Sequence, residues 1–359
     1  MDSVRLPPVV WTFFQGSPRM LRNLFLALAL QTVLVPSAVS AAEPVDLEMM
    51  SRIRDEGLNR SRVMDHLFHL TDVIGPRLTA SPQIKEANEW TRRQFADWGL
   101  ANARLEGFPF GRGWSFTSCE VRMTSPRTFP VLALPKAWTP GTNGPVRGEV
   151  VRASLGSEED MEKQRGKLAG KIVFLDDPAE FDDLEAEQFL RRSAEDLEKL
   201  AEFEIDDDER DGRGGAVRRW KLRRALNEFL EKEKALAIVE ASSRLNGILR
   251  VGGGGSWEPG ESVGVPSVVV AAEHYNQILR LLDKGKPVEL EVDVAARFHD
   301  EDLQSYNTLA EIPGTDKKDE IVLAGAHLDS WHGATGATDN AAGSAVVMEA
   351  ARILRTLGV

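Results

Sequence analysis

Three residues near the carboxyl end of the chain have the types and the spacing of a metal site. His327 and Asp329 stand two positions apart, and Asp339 follows 12 positions after His327. A neutral imidazole is a good zinc ligand, a carboxylate can bridge two cations, and a nearby carboxylate can accept the proton of the other ring nitrogen. The pattern therefore predicts half of a two-metal hydrolase site, with His327 and Asp339 as metal ligands and Asp329 as the catalytic residue that supports them.

The flanking segments predict how these side chains are positioned. The apolar run 320–326 predicts a strand that is buried on both faces of a sheet, which would place His327 beyond its carboxyl end, where ligands collect in open α/β sheets. Residues 341–357 are rich in helix formers and predict a helix that begins just after Asp339 and Asn340. Each residue alone also has an ordinary interpretation. Either Asp339 or Asn340 can cap that helix, and His327 can be a hydrogen-bonded residue at a strand end.

The two motifs carry a family resemblance. Residues 327–331, His-Leu-Asp-Ser-Trp, and residues 339–343, Asp-Asn-Ala-Ala-Gly, resemble the first two metal-site motifs of the co-catalytic di-zinc aminopeptidases. The first motif is also similar to that of the carboxypeptidase Q-like metallopeptidases. The resemblance implies an α/β fold, a zinc-exopeptidase-like mixed sheet flanked by helices, and two zinc ions. It also implies that His327 binds one zinc, Asp339 bridges both, and Asp329 is the supporting catalytic Asp.

The same resemblance implies further ligands that this sequence does not contain. In the family a Glu-Glu pair supplies the general base and a ligand, and a later acidic residue and a final His complete the site. None of these follows Asp339 before the chain ends at Val359. We therefore expect an incomplete chain of a longer enzyme, which by itself binds metal poorly and hydrolyses nothing.

The rest of the chain shows a weaker resemblance to these enzymes. Residues 65–79 and 87–90 are similar to their opening, in which a helix, a Gly-Pro turn and a second helix follow one another. Short predicted strands then alternate with turns and charged helices, which is similar to a protease-associated (PA) domain inserted into the peptidase domain. The resulting prediction is a zinc peptidase domain at residues 43–125 and 296–359 and an inserted PA-like domain at residues 126–295.

The first 42 residues predict a cleaved export signal. Two arginines precede an apolar run, and small residues follow it, with cleavage expected after Ala41 or Ala42. The arginines lie unusually far from Met1, so we expect the natural start at Met20. Because the apolar core is short for a bilayer span, we expect a secreted or periplasmic protein with no stable membrane association after cleavage.

Composition limits the classes of partner. The chain has 56 acidic and 44 basic residues and a formal net charge of −12, which argues against nucleic acid or an anionic membrane surface as a partner. Its single cysteine, Cys119, excludes an internal disulfide and is predicted to be a buried small hydrophobe rather than a nucleophile.

Four other features have ordinary interpretations. His66 and His69 are predicted to pack on an amphipathic helix rather than to bind metal. The run 252–255 of four glycines lacks the Lys-Ser or Lys-Thr of a phosphate loop and predicts a flexible, mobile rim. The acidic run 206–209 lacks the spacing of a calcium loop and predicts a solvated turn. The pair 158–159, Glu-Glu, lies upstream of the site and in the wrong chain order to supply the missing base.

Together these features predict a secreted zinc-dependent exopeptidase, an aminopeptidase or a dipeptidase, acting on a peptide or dipeptide substrate. Two zinc ions would activate the attacking water. The alternative is a non-catalytic peptide-binding protein that combines a PA domain with a partial peptidase scaffold. The sequence predicts no oligomeric state.

Overall fold

The structure is a computed structural model, and it describes residues 45–175, 177–180, 191–202 and 212–359. The predicted export signal and the predicted turn at 206–209 lie outside the described residues. The contacts within the chain divide it into two compact units, residues 1–51 and residues 52–359. Every contact described below lies within the second unit. The elements of the described residues are, in chain order, α1 (Leu47–Asn59), α2 (Val63–Phe68) with a π-helical extension (His69–Ile74), α3 (Pro82–Asp97), β1 (Ala101–Pro109), β2 (Gly113–Ser125), β3 (Phe129–Val131), β4 (Ala133–Pro135), β5 (Val146–Arg152), α4 (Glu158–Gln164), β6 (Lys171–Phe174), α5 (Ala194–Ala201), α6 (Gly212–Glu233), β7 (Ala237–Ala241), β8 (Ser267–Val270), α7 (Ala272–Asp283), β9 (Glu289–His299), β10 (Gln304–Glu311), a short helical turn (Ala337–Ala341) and α8 (Ala342–Leu357).

The larger of two sheets contains eight strands in the order β3-β2-β9-β5-β6-β7-β8-β4. Its centre, β5 to β8, is parallel, and antiparallel strands complete both sides. Side chains alternate between its faces: Ile172 and Phe174 of β6 pack in one apolar cluster with α7, whereas Val173 packs in another with α4 and α6. Helices therefore cover both faces, as the apolar β6–β8 sequences require.

The smaller sheet pairs β1 with β10 in antiparallel register. Phe95 of α3 and Met348 of α8 share an apolar cluster with side chains from both strands. Leu70 and Ile84 form a second cluster with Ala341, the residue before α8. These contacts fix α8, and the turn that precedes it, against α2 and α3.

Local signals in the sequence predict these helices correctly. The Oγ of Ser81 accepts a hydrogen bond from the Ile84 amide at 3.3 Å, and Pro82 occupies the first helical position, as the predicted start of α3 requires. The predicted helix at 341–357 is confirmed as α8.

The predicted buried strand at 320–326 is wrong. This segment has no regular secondary structure, and Ile321, Val322 and Leu323 are 89%, 98% and 86% exposed. An apolar run becomes a buried strand only where neighbours accept its hydrogen bonds and cover its faces, and no element among the described residues does so here.

The four-glycine run is a loop as predicted, but it is packed rather than a mobile rim. The amides of Gly254 and Gly255 donate to the Ala137 carbonyl at 2.9 and 3.3 Å, and the Ala137 amide donates to the Gly252 carbonyl at 3.0 Å. A Cβ at Gly255 would lie 1.7 Å from the Trp138 carbonyl oxygen, so the close approach of the two backbones requires glycine.

The α/β fold class with a large mixed sheet is thus confirmed, whereas the insertion of a PA domain stays a prediction. Within the described ranges, no helix combines the length and the apolarity that a bilayer crossing demands.

Candidate metal centre

Exposed and buried side chains alternate along the segment from His327 to His332. His327, Asp329 and Trp331 have exposed or half-exposed side chains, whereas Ser330 and His332 are buried. Side chains of an extended chain point alternately to opposite sides. The alternation therefore places His327 and Asp329 on the same, exposed side of the segment.

The three predicted site residues lie together. His327 Nε2 lies 3.0 Å from Asp339 Oδ1, and His327 Nδ1 lies 3.1 Å from Asp329 Oδ1. A carboxylate is a hydrogen-bond acceptor, so a proton on Nδ1 is donated to Asp329. When Nε2 carries a proton it donates to Asp339, and when it carries none its lone pair is directed at the Asp339 side.

The start of α8 holds the His327 backbone. The Ser344 hydroxyl and the Asn340 side-chain amide both donate to the His327 carbonyl, at 2.9 and 3.3 Å. No side chain caps α8, whose N-cap residue is Ala341, so the interpretation of Asp339 or Asn340 as an ordinary helix cap is wrong. The Asp339 side chain is 79% exposed and stands free for a ligand role.

The donor set of His327 and Asp339 fits part of a zinc site. Two ligands that each lie about 2.1 Å from a tetrahedral zinc ion are separated by about 3.4 Å, close to the distance between these two atoms. Asp329 lies on the other ring nitrogen, in the place of the carboxylate that orients a zinc-bound histidine. Among the described residues, no cluster of three or more His, Cys, Asp or Glu side chains is placed to hold one ion, so the two ligands present form an incomplete set.

Arg77 contacts the first motif and the residues that lead to the second, Thr79 contacts the first motif, and neither residue was predicted to have a role. The fully buried Arg77 guanidinium donates to the Leu328 carbonyl at 2.9 Å and to the Thr335 carbonyl at 2.9 Å. The Thr79 hydroxyl donates to Asp329 Oδ2. Burial lowers the pKa of Arg77, and the charge of Asp329 opposes that effect. The only sequence signal was the resemblance of residues 65–79 to the opening of the peptidases.

His332 ties the site segment to the large sheet, a contact that was also not predicted. Its Nε2 donates to the Pro135 carbonyl of β4 at 2.7 Å, and its ring meets the Trp114 ring edge to face at 5.1 Å. Burial lowers the pKa of His332, so the ring is neutral near neutral pH. The half-exposed Trp331 next to it contacts Trp138 edge to face at 6.2 Å.

The other candidate residues have the ordinary roles that were predicted. His69 stacks on Trp90 at 4.2 Å, and the buried His66 donates to Glu349 of α8 at 3.2 Å. Cys119 packs against the core of the large sheet but is half-buried rather than buried as predicted. Burial raises the pKa of its thiol to about 12, which makes it a poor nucleophile. The acidic pair 158–159 begins α4, beside the large sheet.

A family comparison matches the segment that contains the site. Residues 307–358 match Peptidase family M28. Carboxypeptidase Q of Mus musculus is 23% identical over 304 residues, which cover 84% of this chain and 57% of that protein. Carboxypeptidase Q of Bos taurus is 25% identical over 304 residues, covering 84% and 56%. The chain thus spans little more than half the length of these relatives.

A solved structure agrees in fold. The Peptidase M28 precursor from Shewanella amazonensis SB2B superposes with a TM-score of 0.54 at 24% identity, covering 86% of this chain and 62% of that chain. The similarity in fold extends to the α/β class of that structure, and the similarity in sequence to Peptidase family M28 covers residues 307–358. The metallopeptidase resemblance predicted from the two motifs is thereby confirmed.

Proposed function

We propose that this chain is part of a zinc-dependent exopeptidase, an aminopeptidase or dipeptidase that acts on peptides outside the cytoplasm. His327 and Asp339 would bind zinc, Asp339 would bridge to a second zinc, and Asp329 would orient His327. The observation that carries the proposal is the 3.0 Å separation of His327 Nε2 and Asp339 Oδ1, with Asp329 on the opposite ring nitrogen. Because the chain spans 57% of its relative, the activity is proposed for the whole protein.

The residues of this chain have separable tasks in that reaction. Bound zinc supplies activation of water and polarisation of the scissile carbonyl. Asp329 fixes the imidazole tautomer by accepting the Nδ1 proton, which keeps Nε2 available as a ligand and raises its basicity. Ser344 and Asn340 keep the His327 backbone at the start of α8, so that ligand and bridging carboxylate remain adjacent.

The proposal includes an inserted PA-like domain at residues 126–295, which would shape access of the peptide. Its support is topological: the parallel strands β5 to β8 and the helices α4, α6 and α7 all fall in this range, between the strands of the small sheet, β1 and β10. The strands β2 and β9, which lead into and out of this range, pair with each other. The His332 contact with Pro135 would hold this domain beside the site.

A second candidate function is a peptide-binding protein without catalysis. The incomplete ligand set of the described residues favours it, because only His327 and Asp339 face each other as possible ligands there. The two candidates differ in whether zinc is required for the interaction with peptides.

The first test is zinc binding by a longer protein that contains this chain, measured by titration calorimetry on wild type and on His327→Ala and Asp339→Asn. His299→Ala is the matched control, because His299 lies on β9 of the large sheet, where its imidazole bonds the Ser115 hydroxyl at 2.8 Å. Zinc binding that is lost in the two site variants and kept in the control is the expected result. Equal affinity in all four proteins would refute the assignment of the ligands.

The second test is hydrolysis of dipeptides and amino-acid anilides by a longer protein that contains this chain. We expect zinc-dependent turnover that His327→Ala abolishes. Peptide binding that is independent of zinc, with no turnover in the wild-type protein, would favour the binding protein instead.

A further inference from the structure

A single segment, residues 75–79, contacts the first metal-site motif and the residues that lead to the second. The Arg77 amide donates to the Ser330 hydroxyl at 3.0 Å, and the Ser330 amide donates to the Arg77 carbonyl at 3.0 Å. The two backbones are therefore paired at this point. Thr79 follows two residues later, where its hydroxyl donates to Asp329.

The Arg77 side chain also connects this segment to residues 335–336, which precede the second motif. Its guanidinium donates to the Leu328 carbonyl, next to His327, and to the Thr335 and Gly336 carbonyls, shortly before Asp339, at 2.9, 2.9 and 3.2 Å. On the other side it donates to the Leu70 and Gly75 carbonyls at 2.8 and 2.6 Å. A planar guanidinium presents its donors in a fixed arrangement, so one rigid group sets the separation of the two ligand-bearing segments.

Thr79 controls the remaining freedom of Asp329. The Asp329 side chain is 39% exposed, and one hydrogen bond to His327 would leave its carboxylate able to rotate. The Thr79 hydroxyl occupies Oδ2, which leaves Oδ1 for the His327 ring nitrogen at 3.1 Å. The backbone carbonyl of Asp329 competes for the same nitrogen at 3.2 Å, so the orientation of the carboxylate decides which acceptor His327 uses.

We propose that Arg77 and Thr79 are positioning residues of the metal site: Arg77 fixes the spacing of the His327 and Asp339 segments, and Thr79 fixes the Asp329 carboxylate on His327. This inference rests on the proposed function, because it assigns the two residues a role toward the zinc that His327 and Asp339 would hold. Neither residue touches the ligand positions directly.

The decisive variants are Thr79→Val and Thr79→Ser. Valine keeps the shape of threonine and removes the hydroxyl, whereas serine keeps the hydroxyl and removes the methyl group. Arg77→Lys is a supporting variant that keeps the charge and loses the multiple donors. The Thr79 pair decides the role of Thr79 whatever the stability of the Arg77 variant, and Arg77→Lys tests the spacing of the two segments through the same zinc affinity.

The first readout is the nitrogen NMR spectrum of the His327 side chain in the zinc-loaded form of a longer protein that contains this chain. Wild type and Thr79→Ser are expected to share one Nδ1–H signal, and Thr79→Val is expected to weaken or broaden it, because the Asp329 carboxylate that accepts this proton is no longer held. The other five histidines of the chain serve as internal controls, because a general structural change would move their signals too.

The second readout is the zinc affinity of a longer protein that contains this chain, measured with zinc chloride against a chromophoric chelator. Substitution of the partners that orient a metal ligand typically lowers affinity by about 10- to 100-fold, and Thr79 acts one step further away, so we expect a loss of about three- to tenfold in Thr79→Val. Thr79→Ser is expected to bind zinc as wild type does.

Either of two results would overturn the inference. One is a Thr79→Val variant that matches wild type in the Nδ1–H signal and in zinc affinity. The other is an equal loss of affinity in both Thr79 variants, which would assign the effect to packing of the methyl group. A longer wild-type protein that contains this chain and binds no zinc would instead remove the proposed metal site, and with it this inference, so the two failures are distinguishable.

Discussion

The buried ion cluster beneath α8 gives the sharpest prediction about stability. Arg352 donates to both carboxylate oxygens of Glu349, at 2.8 and 2.9 Å, and also to Glu56 at 2.9 Å. The Glu349 and Arg352 side chains are only 6% and 10% exposed. Burial alone would raise the pKa of Glu349, but hydrogen bonds from Arg352 and from the Arg62 amide outweigh it and hold that pKa below its usual range.

We expect Arg352→Met to lower the free energy of unfolding by about 3 kcal/mol. Removal of one partner of a buried ion pair costs about 3–5 kcal/mol, because the other charge stays buried without compensation. The lower end applies here, since Glu349 keeps the Arg62 amide at 2.9 Å and His66 at 3.2 Å. The control is Arg355→Met on an exposed position of the same helix, with an expected change below about 1 kcal/mol.

The double variant Arg352→Met/Glu349→Gln tests the reason. If the unpaired carboxylate causes the loss, neutralising it restores about 1–2 kcal/mol, because a buried amide costs less than a buried charge. Urea denaturation of all four proteins at pH 7.5 measures these differences. A double variant that is no more stable than Arg352→Met would refute the reasoning.

Two further predictions concern His332 and the exposed apolar segment. Because burial lowers the pKa of His332 below its usual value of 6.5, the unfolded state takes up the proton first, so its contribution to stability is complete above about pH 6.5 and falls as the pH drops below that value. His332→Gln should therefore lose less stability than wild type between pH 7.5 and 5.5 in urea melts, and an unchanged pH dependence would contradict this. Val322→Lys should leave the free energy of unfolding unchanged to within about 0.5 kcal/mol, because the Val322 side chain is 98% exposed. Val239→Lys in buried β7 should instead prevent folding. A loss above about 1 kcal/mol in Val322→Lys would mean that the 320–326 segment pairs as a strand after all.

The helices could be predicted from the sequence because their signals are local. Ser81 and Pro82 mark the start of α3, and the apolar spacing of α8 marks its buried face. The prediction of a strand at 320–326 was wrong because strand formation depends on residues that are distant in the sequence. Its apolar composition records a preference for burial, but neighbouring strands must supply the hydrogen bonds, and the described residues supply none.

The site was predictable only in part. His327, Asp329 and Asp339 lie within 13 residues of one another, and their chemical types indicate how they would act together. Arg77 could not be found in this way, because it acts on backbone carbonyls about 250 positions away, and any residue type can present a carbonyl. The partner of His332 is likewise a backbone carbonyl far away in the sequence, that of Pro135 in β4 of the large sheet.

Because exposed and buried side chains alternate along residues 327–332, the number of residues in this segment determines which side each side chain occupies. Removing one residue between His327 and His332 would exchange the two sides, turning one of the buried side chains outward and one of the site residues into the interior. Removing two residues would shorten the segment but restore the order of inside and outside. Length variation in this part of the chain should therefore be tolerated, if at all, only in even steps.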